Sequence, residues 1–385
     1  MDVSPPLPDF SLMCGGPLYG VERRLRLVKP PQSLSGRRAL AFMLLAWLPL
    51  PLLAGAWSHD ALLALFGEVK VHTEMLVTLP VLIVAEPYVN RRIQDAVRQF
   101  LAVRLVGVGS RHLFEVHLRQ AIRLRDSGLA EALILVAAYV IGFLATSEPA
   151  RDWMFTTPGG HTPTPAGWWY LALSKPLLRF LMLRWFWRGL VWAGFLFRVS
   201  RLPLTLEPTH PDQMGGLGFL PICQASFAPV VFALAAAVAA TVWESETHGI
   251  VGAPLPYLVP MLVLAVLSAL AVCAPLGLFT PQLVRAKRRG DFRFSALAAA
   301  HARRFERKWF RTSPPAEKEI LGAPEFSSLA DLGTSFLLAR KMRLFLFDTR
   351  ALTGIVGAAL APLAVLLILD REFLTVLKQI REGLP

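Results

Sequence analysis

The stretch "GWWYLALSKPLLRFLMLRWFWRGLVWAGFLFR", Gly167 to Arg198, decides how the rest of the chain is read. It is apolar over more than the roughly 20 residues that one bilayer crossing needs. Yet Lys175, Arg179, Arg184 and Arg188 all fall within it. A voltage sensor would set its arginines every third residue along one stripe. At ~100° per residue these four fall near about 0°, 40°, 180° and 220°, two pairs on opposite faces, so that reading fails. An arginine at the bilayer centre costs about 2.5–3.5 kcal/mol on insertion scales, so each charge needs a route to the headgroups, water or a partner. Three arrangements meet that need. Lys175 and Arg179 snorkel one way and Arg188 the other, with Trp168, Trp169, Trp185, Trp187 and Trp192 as interfacial anchors or cation–π neighbours. Alternatively, Arg179 and Arg184 line a wetted cavity that receives anions or lipid headgroups. In the third arrangement, arginines pair with Glu86 or Glu131, at the borders of neighbouring spans.

The surrounding chain has the composition of a membrane protein. Of its 385 residues, 54% are hydrophobic and 17% charged, and the mean hydropathy is +0.49. Seven segments are long and apolar enough to cross, at roughly 39–57, 70–89, 128–147, 166–197, 219–243, 255–279 and 351–369. The short run "ALLALFG", Ala61–Gly67, cannot cross and is placed at the surface. Lysine and arginine then set orientation. Thirty-one lie before the first span and in 90–127, 198–218 and 281–350, against five in the alternate loops and the tail. By the positive-inside rule the N-terminus is cytoplasmic and the C-terminus periplasmic. The net charge of +13 is therefore a topology signal, and a nucleic-acid partner is not expected.

The expected architecture is an all-α polytopic membrane helix bundle with cytoplasmic amphipathic helices. It divides into a cytoplasmic segment (1–38), a bundle (39–369) with helical insertions at 90–127 and 281–350, and a short C-terminal helix (370–385). In "RRIQDAVRQFLAVRL", residues 91–105, Ile93, Val97, Phe100, Leu101 and Leu105 share one helical face. A basic helix over 281–311 follows, then a Pro-Pro turn. Ser328 and Asp331 have capping-box spacing at the start of the next helix.

Chemistry-bearing clusters are scarce. Cys14, Cys223 and Cys273 are isolated, which supports neither a disulfide framework nor a zinc site. No chain of carboxylates crosses the midplane, so a proton or sodium pump is disfavoured. No histidines face each other inside the bundle for a haem, and His72 with Glu74 makes at most a weak metal pair. There is no serine–histidine–acid set, P-loop or dinucleotide fingerprint, so neither an enzyme nor a cofactor is expected.

One loop stands out: "THPDQMGGLGFLP", Thr209–Pro221. Gly215, Gly216 and Gly218 permit close backbone approach at the mouth of a helix, whose free N–H groups favour anions. Arg198 and Arg201 stand beside it, and His210 offers a titratable group. Asp212 argues the other way, because as a cap it would satisfy those N–H groups itself.

Three phrases carry a resemblance: "SLMCGGPLYGVERRLRL" (Ser11–Leu27), "HPDQMGGLGFL" (His210–Leu220), and the stretch from "FERKWFR" through "GAPEFSSLADLGTSF" to "MRLFLF". Together they resemble a family of polytopic bacterial membrane proteins. The resemblance implies an inner-membrane location and one integrated fold, and it carries over no activity. Two function classes result. One is a channel or transporter-like protein with an anion-favouring pathway through Lys175, Arg179, Arg184 and Arg188, with Arg198, Arg201 and the glycine loop at its inner mouth. The other is a membrane scaffold or sensor whose basic helices bind anionic lipid headgroups or a partner. Self-association into a homo-oligomer is compatible with either.

Overall fold

Proline and charge decide how these apolar helices bend and pack. The computed structural model describes residues 10–13, 15–24, 35–144, 153–156, 162–247, 258–311 and 323–369, and they form an all-α helical bundle. In chain order the helices are α1 (Pro17–Arg24), α2 (Ser35–Trp47), α3 (Pro49–Trp57), α4 (His59–Phe66) and α5 (Val69–His72). A π-helical segment, Thr73–Thr78, leads into α6 (Leu79–Ala102), followed by α7 (Arg111–Arg125) and α8 (Gly128–Leu144). Next come α9 (Pro165–Trp169), a second π segment (Tyr170–Ser174), α10 (Lys175–Val199), α11 (Phe219–Ala225), α12 (Ala228–Thr247) and α13 (Leu258–Gly277). The basic helix α14 (Thr280–Glu306) runs on through a π segment (Arg307–Arg311), and α15 (Pro324–Lys341) and α16 (Thr349–Leu369) complete the bundle.

Five of these are long and apolar enough to cross a membrane: Ser35–Trp57, Pro165–Val199, Phe219–Glu244, Leu258–Gly277 and Thr349–Leu367. A sixth joins them if Val108–Arg125 and Gly128–Leu144, bent by 42°, form one span. The expected seven included 70–89, which is helical but too polar to qualify, carrying Lys70, His72, Glu74 and Glu86. One face of that helix packs into the bundle, with Leu79, Leu82, Ile83 and Val89 buried, and another leaves Val84 and Tyr88 exposed. Protein matches its polar groups: Lys70 pairs with Glu244 at 3.2 Å, Glu74 accepts from the Tyr170 hydroxyl, and His72 accepts from the Trp47 indole.

The expected helix over 91–105 is the last part of α6, which buries Ile93, Val97 and Phe100 but ends at Ala102, ahead of Arg104 at φ +55°. α6 and α10 run to the same end, where the Thr205 N–H donates to the Leu105 carbonyl at 2.8 Å. We call this the basic end, since α7 and α14 lie there. The run "ALLALFG" forms α4, which folds back on α3 and buries Ala61 and Leu65. One expectation fails: Ser328 does not cap α15. The helix begins at Pro324, and Ser328 sits inside it, donating to the Glu325 carbonyl and meeting His301 at 3.2 Å. Proline at the first helical position, with its preset φ and missing N–H, sets the start instead. The segment 370–385 lies outside the described residues.

Prolines inside spans leave carbonyls without their usual donor four residues on, and in lipid such a group must find another partner. Pro176 frees the Ala172 carbonyl, which accepts from the Tyr139 hydroxyl of α8 at 2.9 Å. Pro49 frees the Leu45 carbonyl, which accepts from the Trp169 indole at 3.1 Å. Each proline site is thereby tied to a neighbouring helix. Tyr139→Phe should destabilise the protein in micelles by roughly 0.5–2 kcal/mol. The loss should shrink when combined with Pro176→Ala, which returns a backbone donor to Ala172. Equal losses in both backgrounds, measured by thermal unfolding, would show that the bond is incidental.

Candidate functional site

Arg184 and Arg188 stand one turn apart on α10 and so point the same way, toward α6. Both reach Glu86 Oε1, Arg184 at 3.3 Å and Arg188 at 2.9 Å. The other carboxylate oxygen of Glu86 accepts from Arg38 of α2 at 2.9 Å. Arg38 also binds Glu22 of α1 at 2.7 Å, and Arg184 Nε lies 3.3 Å from Glu131 of α8. Three arginines thus face three glutamates from five helices. Arg184 and Arg188 are each 3% exposed and Glu86 4%. The third arrangement drawn from the sequence, pairing with Glu86 and Glu131, is the one adopted by these two arginines.

The N-terminal segment closes over this cluster. Asn90 Oδ1 accepts from the Ser11 hydroxyl and from the N–H groups of Leu12 and Met13. Arg188 donates to the Met13 carbonyl at 3.0 Å, Arg125 donates to the Ser11 carbonyl, and the Leu18 N–H donates to Glu131 at 2.9 Å. Gly16 takes φ +91°, and a β-carbon there would lie 2.6 Å from the Glu131 carboxylate. The phrase "GGPLYGVERR" therefore encodes a strap that needs glycine to approach Glu131 and delivers Glu22 to Arg38. Sequence reasoning missed Glu22, Arg38 and Asn90. Their signal was present only as polar residues at the borders of apolar runs.

The other pair on α10 behaves differently. Lys175 is buried with its ammonium 5.2 Å from the Tyr170 ring centroid. Arg179 is half-buried and lies over Gly142 of α8, where a β-carbon would meet its guanidinium at 2.4 Å. The tryptophans also divide. Trp185 and Trp192 are core residues that donate to the Leu82 carbonyl and to Gln224, whereas Trp168 is 62% exposed.

The glycine loop is closed by its own aspartate. Asp212 accepts from the N–H groups of Met214 at 2.8 Å, Gly216 at 3.2 Å and Gly218 at 2.8 Å. His210 Nδ1 lies 2.8 Å from the same carboxylate. The donors that would attract an anion are therefore already engaged. Gln213, Gly215 and Gly216 have φ of +57°, +66° and +95°, which wraps the backbone around that carboxylate. The loop also gathers the basic end together. The Gly215 position sits against Met342 and Leu206, and Gly216 against Leu105. The Arg343 N–H donates to the Gln213 carbonyl at 2.7 Å.

Beside this loop lies a groove of about 990 Å³ between the end of α10 and the start of α14. Arg201, Arg285, Arg288 and Arg289 line it together with Phe197, Leu202, Leu204, Leu278 and Pro281. The Arg201 guanidinium lies 4.9 Å from the Phe197 ring centroid. Gln282 fixes the groove wall by donating to the Ser200 and Leu202 carbonyls. None of the four arginines has an ion-pair partner among the described residues. Of the expected inner-mouth residues, the groove takes in Arg201; Arg198 does not line it. Comparison with protein-family models, with curated proteins and with solved structures returns no match.

Two stability predictions come from these contacts. Removing one member of a buried ion pair costs about 3–5 kcal/mol, because the remaining charges stay buried. Glu86→Gln, which leaves three arginines around a neutral amide, should cost that much in thermal or denaturant unfolding in micelles. Arg179→Ala should cost under roughly 1 kcal/mol, as an exposed or weakly paired charge does. Similar losses in the two would show that the cluster does not hold the bundle.

Burial pushes the Asp212 carboxyl up, but the N–H groups of Met214, Gly218 and Gly216 and the His210 ring outweigh it and hold the pKa below its ordinary value. A lowered folded pKa adds stability above the unfolded value of about 3.9, and that stability fades as pH falls through the lowered one. Asp212→Ala should cost about 1–3 kcal/mol at neutral pH through its orphaned donors. It should also flatten the acid limb of the stability–pH profile. An unchanged acid limb would remove Asp212 from that role.

Proposed function

We propose that the protein is a multi-pass scaffold or sensor of a bacterial inner membrane, acting through a basic, cytoplasmic end that binds anionic lipid or an acidic partner. What supports this reading is a contrast between two sets of arginines. Arg184 and Arg188, inside the bundle, are consumed by Glu86 and Glu131. Arg201, Arg285, Arg288 and Arg289 face an open groove at the basic end and have no such acid. An anion travelling through the bundle would meet a cluster in which carboxylates equal guanidiniums, with little net attraction to offer. A basic groove next to a membrane end draws anionic headgroups at roughly 1 kcal/mol per arginine.

The basic helices fit the same reading. α14 exposes Phe292, at 79%, among Arg288, Arg289 and Arg293, the mixture of aromatic and cationic side chains suited to a headgroup layer. The channel reading keeps one observation, the half-buried Arg179 on the face opposite the cluster.

The two readings separate in one pair of experiments on reconstituted full-length protein. In planar bilayers under a potassium chloride gradient, the scaffold reading expects no current above that of protein-free membranes. Limited proteolysis should cut within 281–311 more slowly when the vesicles contain anionic lipid. A current that reverses near the chloride potential and weakens in Arg179→Ala would overturn the scaffold reading in favour of a pathway.

A further inference from the structure

We infer that the groove between α10 and α14 is a specific site for one anionic glycerophospholipid, an inference that rests on the scaffold reading and names its ligand. The phosphate would sit on Arg285, Arg288 and Arg289, with Arg201 closing from the opposite wall. Arg285, Arg288 and Arg289 are spaced i, i+3 and i+4, so they share one face of α14 and all line the groove. Like charges at that spacing repel each other across the helix. With no ion pair among the described residues to relieve them, Asp291 of the same helix included, an anion at their centre stabilises the helix and the bound state together.

Three observations point to a lipid in preference to a free anion. The groove opens where a membrane span ends, since Gly277, the last residue of α13, and Leu278 both line it. That is the depth at which a phospholipid carries its phosphate. Its lining is partly apolar, with Phe197, Leu204 and Leu278, and suits the glycerol and first acyl carbons better than water. The volume of about 990 Å³ exceeds what a phosphate alone would fill. A fourth feature adds to the attraction. The first turn of α14, at Pro281 and Gln282, also borders the cavity, so the partial positive charge of the helix start lies near the groove.

The test uses full-length protein carried from nanodiscs into native mass spectrometry, with phosphatidylglycerol and phosphatidylcholine supplied in equal amounts. Wild type should retain one phosphatidylglycerol in preference to phosphatidylcholine. The variant R285Q/R288Q/R289Q should lose that retention roughly a hundredfold, following the usual contribution of each juxtamembrane arginine. R303Q/R304Q/R307Q, with the same loss of charge on the same helical run but away from the groove and from Phe292, should keep it. If both variants lose lipid equally, the groove proposal falls while the basic-end reading stands. If wild type holds the two lipids alike, the site is overturned and the lipid half of that reading with it. Displacement of the lipid by glycerol 1-phosphate at matching concentration would make the ligand a soluble anion and also overturn the proposal.

Discussion

Glu86 is the residue on which the bundle turns. Its two oxygens bind guanidiniums from α2 and α10 at 2.9–3.3 Å, and those arginines in turn hold Glu22 of α1 and Glu131 of α8. A buried charge is costly, and replacing such a network with apolar side chains of equal volume often gains stability. What the network supplies instead is register. Apolar helices in lipid can slide or rotate against one another at small cost, because lipid tails are as apolar as the side chains they replace. A carboxylate shared by three arginines has one satisfactory arrangement. It therefore fixes the rotation of α6, α10 and α2 together, and through Glu131 the start of α8.

The same cluster explains why an N-terminal segment outside the spans is part of the core. Without the strap, Arg188 would lose the Met13 carbonyl and Arg38 would lose Glu22. Asn90 would have three donors fewer. Phe10 would leave Phe195, on which it stacks with ring centroids 5.8 Å apart. The strap thus balances charge and closes the aromatic core of Phe100, Phe114 and Phe195. At the basic end the glycine loop plays a matching part. It carries its own anion in Asp212, and so frees its backbone to pack against α6, α14 and the 342–343 turn. One aspartate performs internally what a bound phosphate performs in a ligand loop.

Much of this was legible from the sequence. Apolar runs gave the helices, the 100° spacing separated Lys175 and Arg179 from Arg184 and Arg188, and Asp212 was a visible rival to any anion at the loop. The count of spans was less legible. The run 70–89 reads as apolar, but it carries Lys70, Glu74 and Glu86, and the fold supplies each with a polar partner. Partner choice was hidden for a different reason. Arg38 reads as a flanking charge at the start of a span, and Glu22 as one residue in a charged run. Only the fold brings them within 2.7 Å of each other and next to Glu86. The capping-box reading of Ser328 failed because a local spacing rule cannot see Pro324, which starts the helix four residues earlier.

The partition of charge between the middle of α10 and the turn beyond its C-terminus carries a constraint of its own. Arg184 and Arg188 could be spent on structure because α6, α8 and the strap supply acids at the right depth. Arg201, a little more than three turns beyond Arg188 by residue count, meets no acid, although acids are available nearby in sequence at Glu207 and Asp212. Asp212 is committed to backbone donors, and Glu207 is exposed and does not line the groove. The groove thus keeps its four arginines without an ion pair among the described residues, while elsewhere at the basic end Arg111 and Lys308 are paired with Glu115 and Glu325. Four arginines and an apolar set of Phe197, Leu204 and Leu278 thus share one groove beside the end of a membrane span, the arrangement on which the lipid proposal rests.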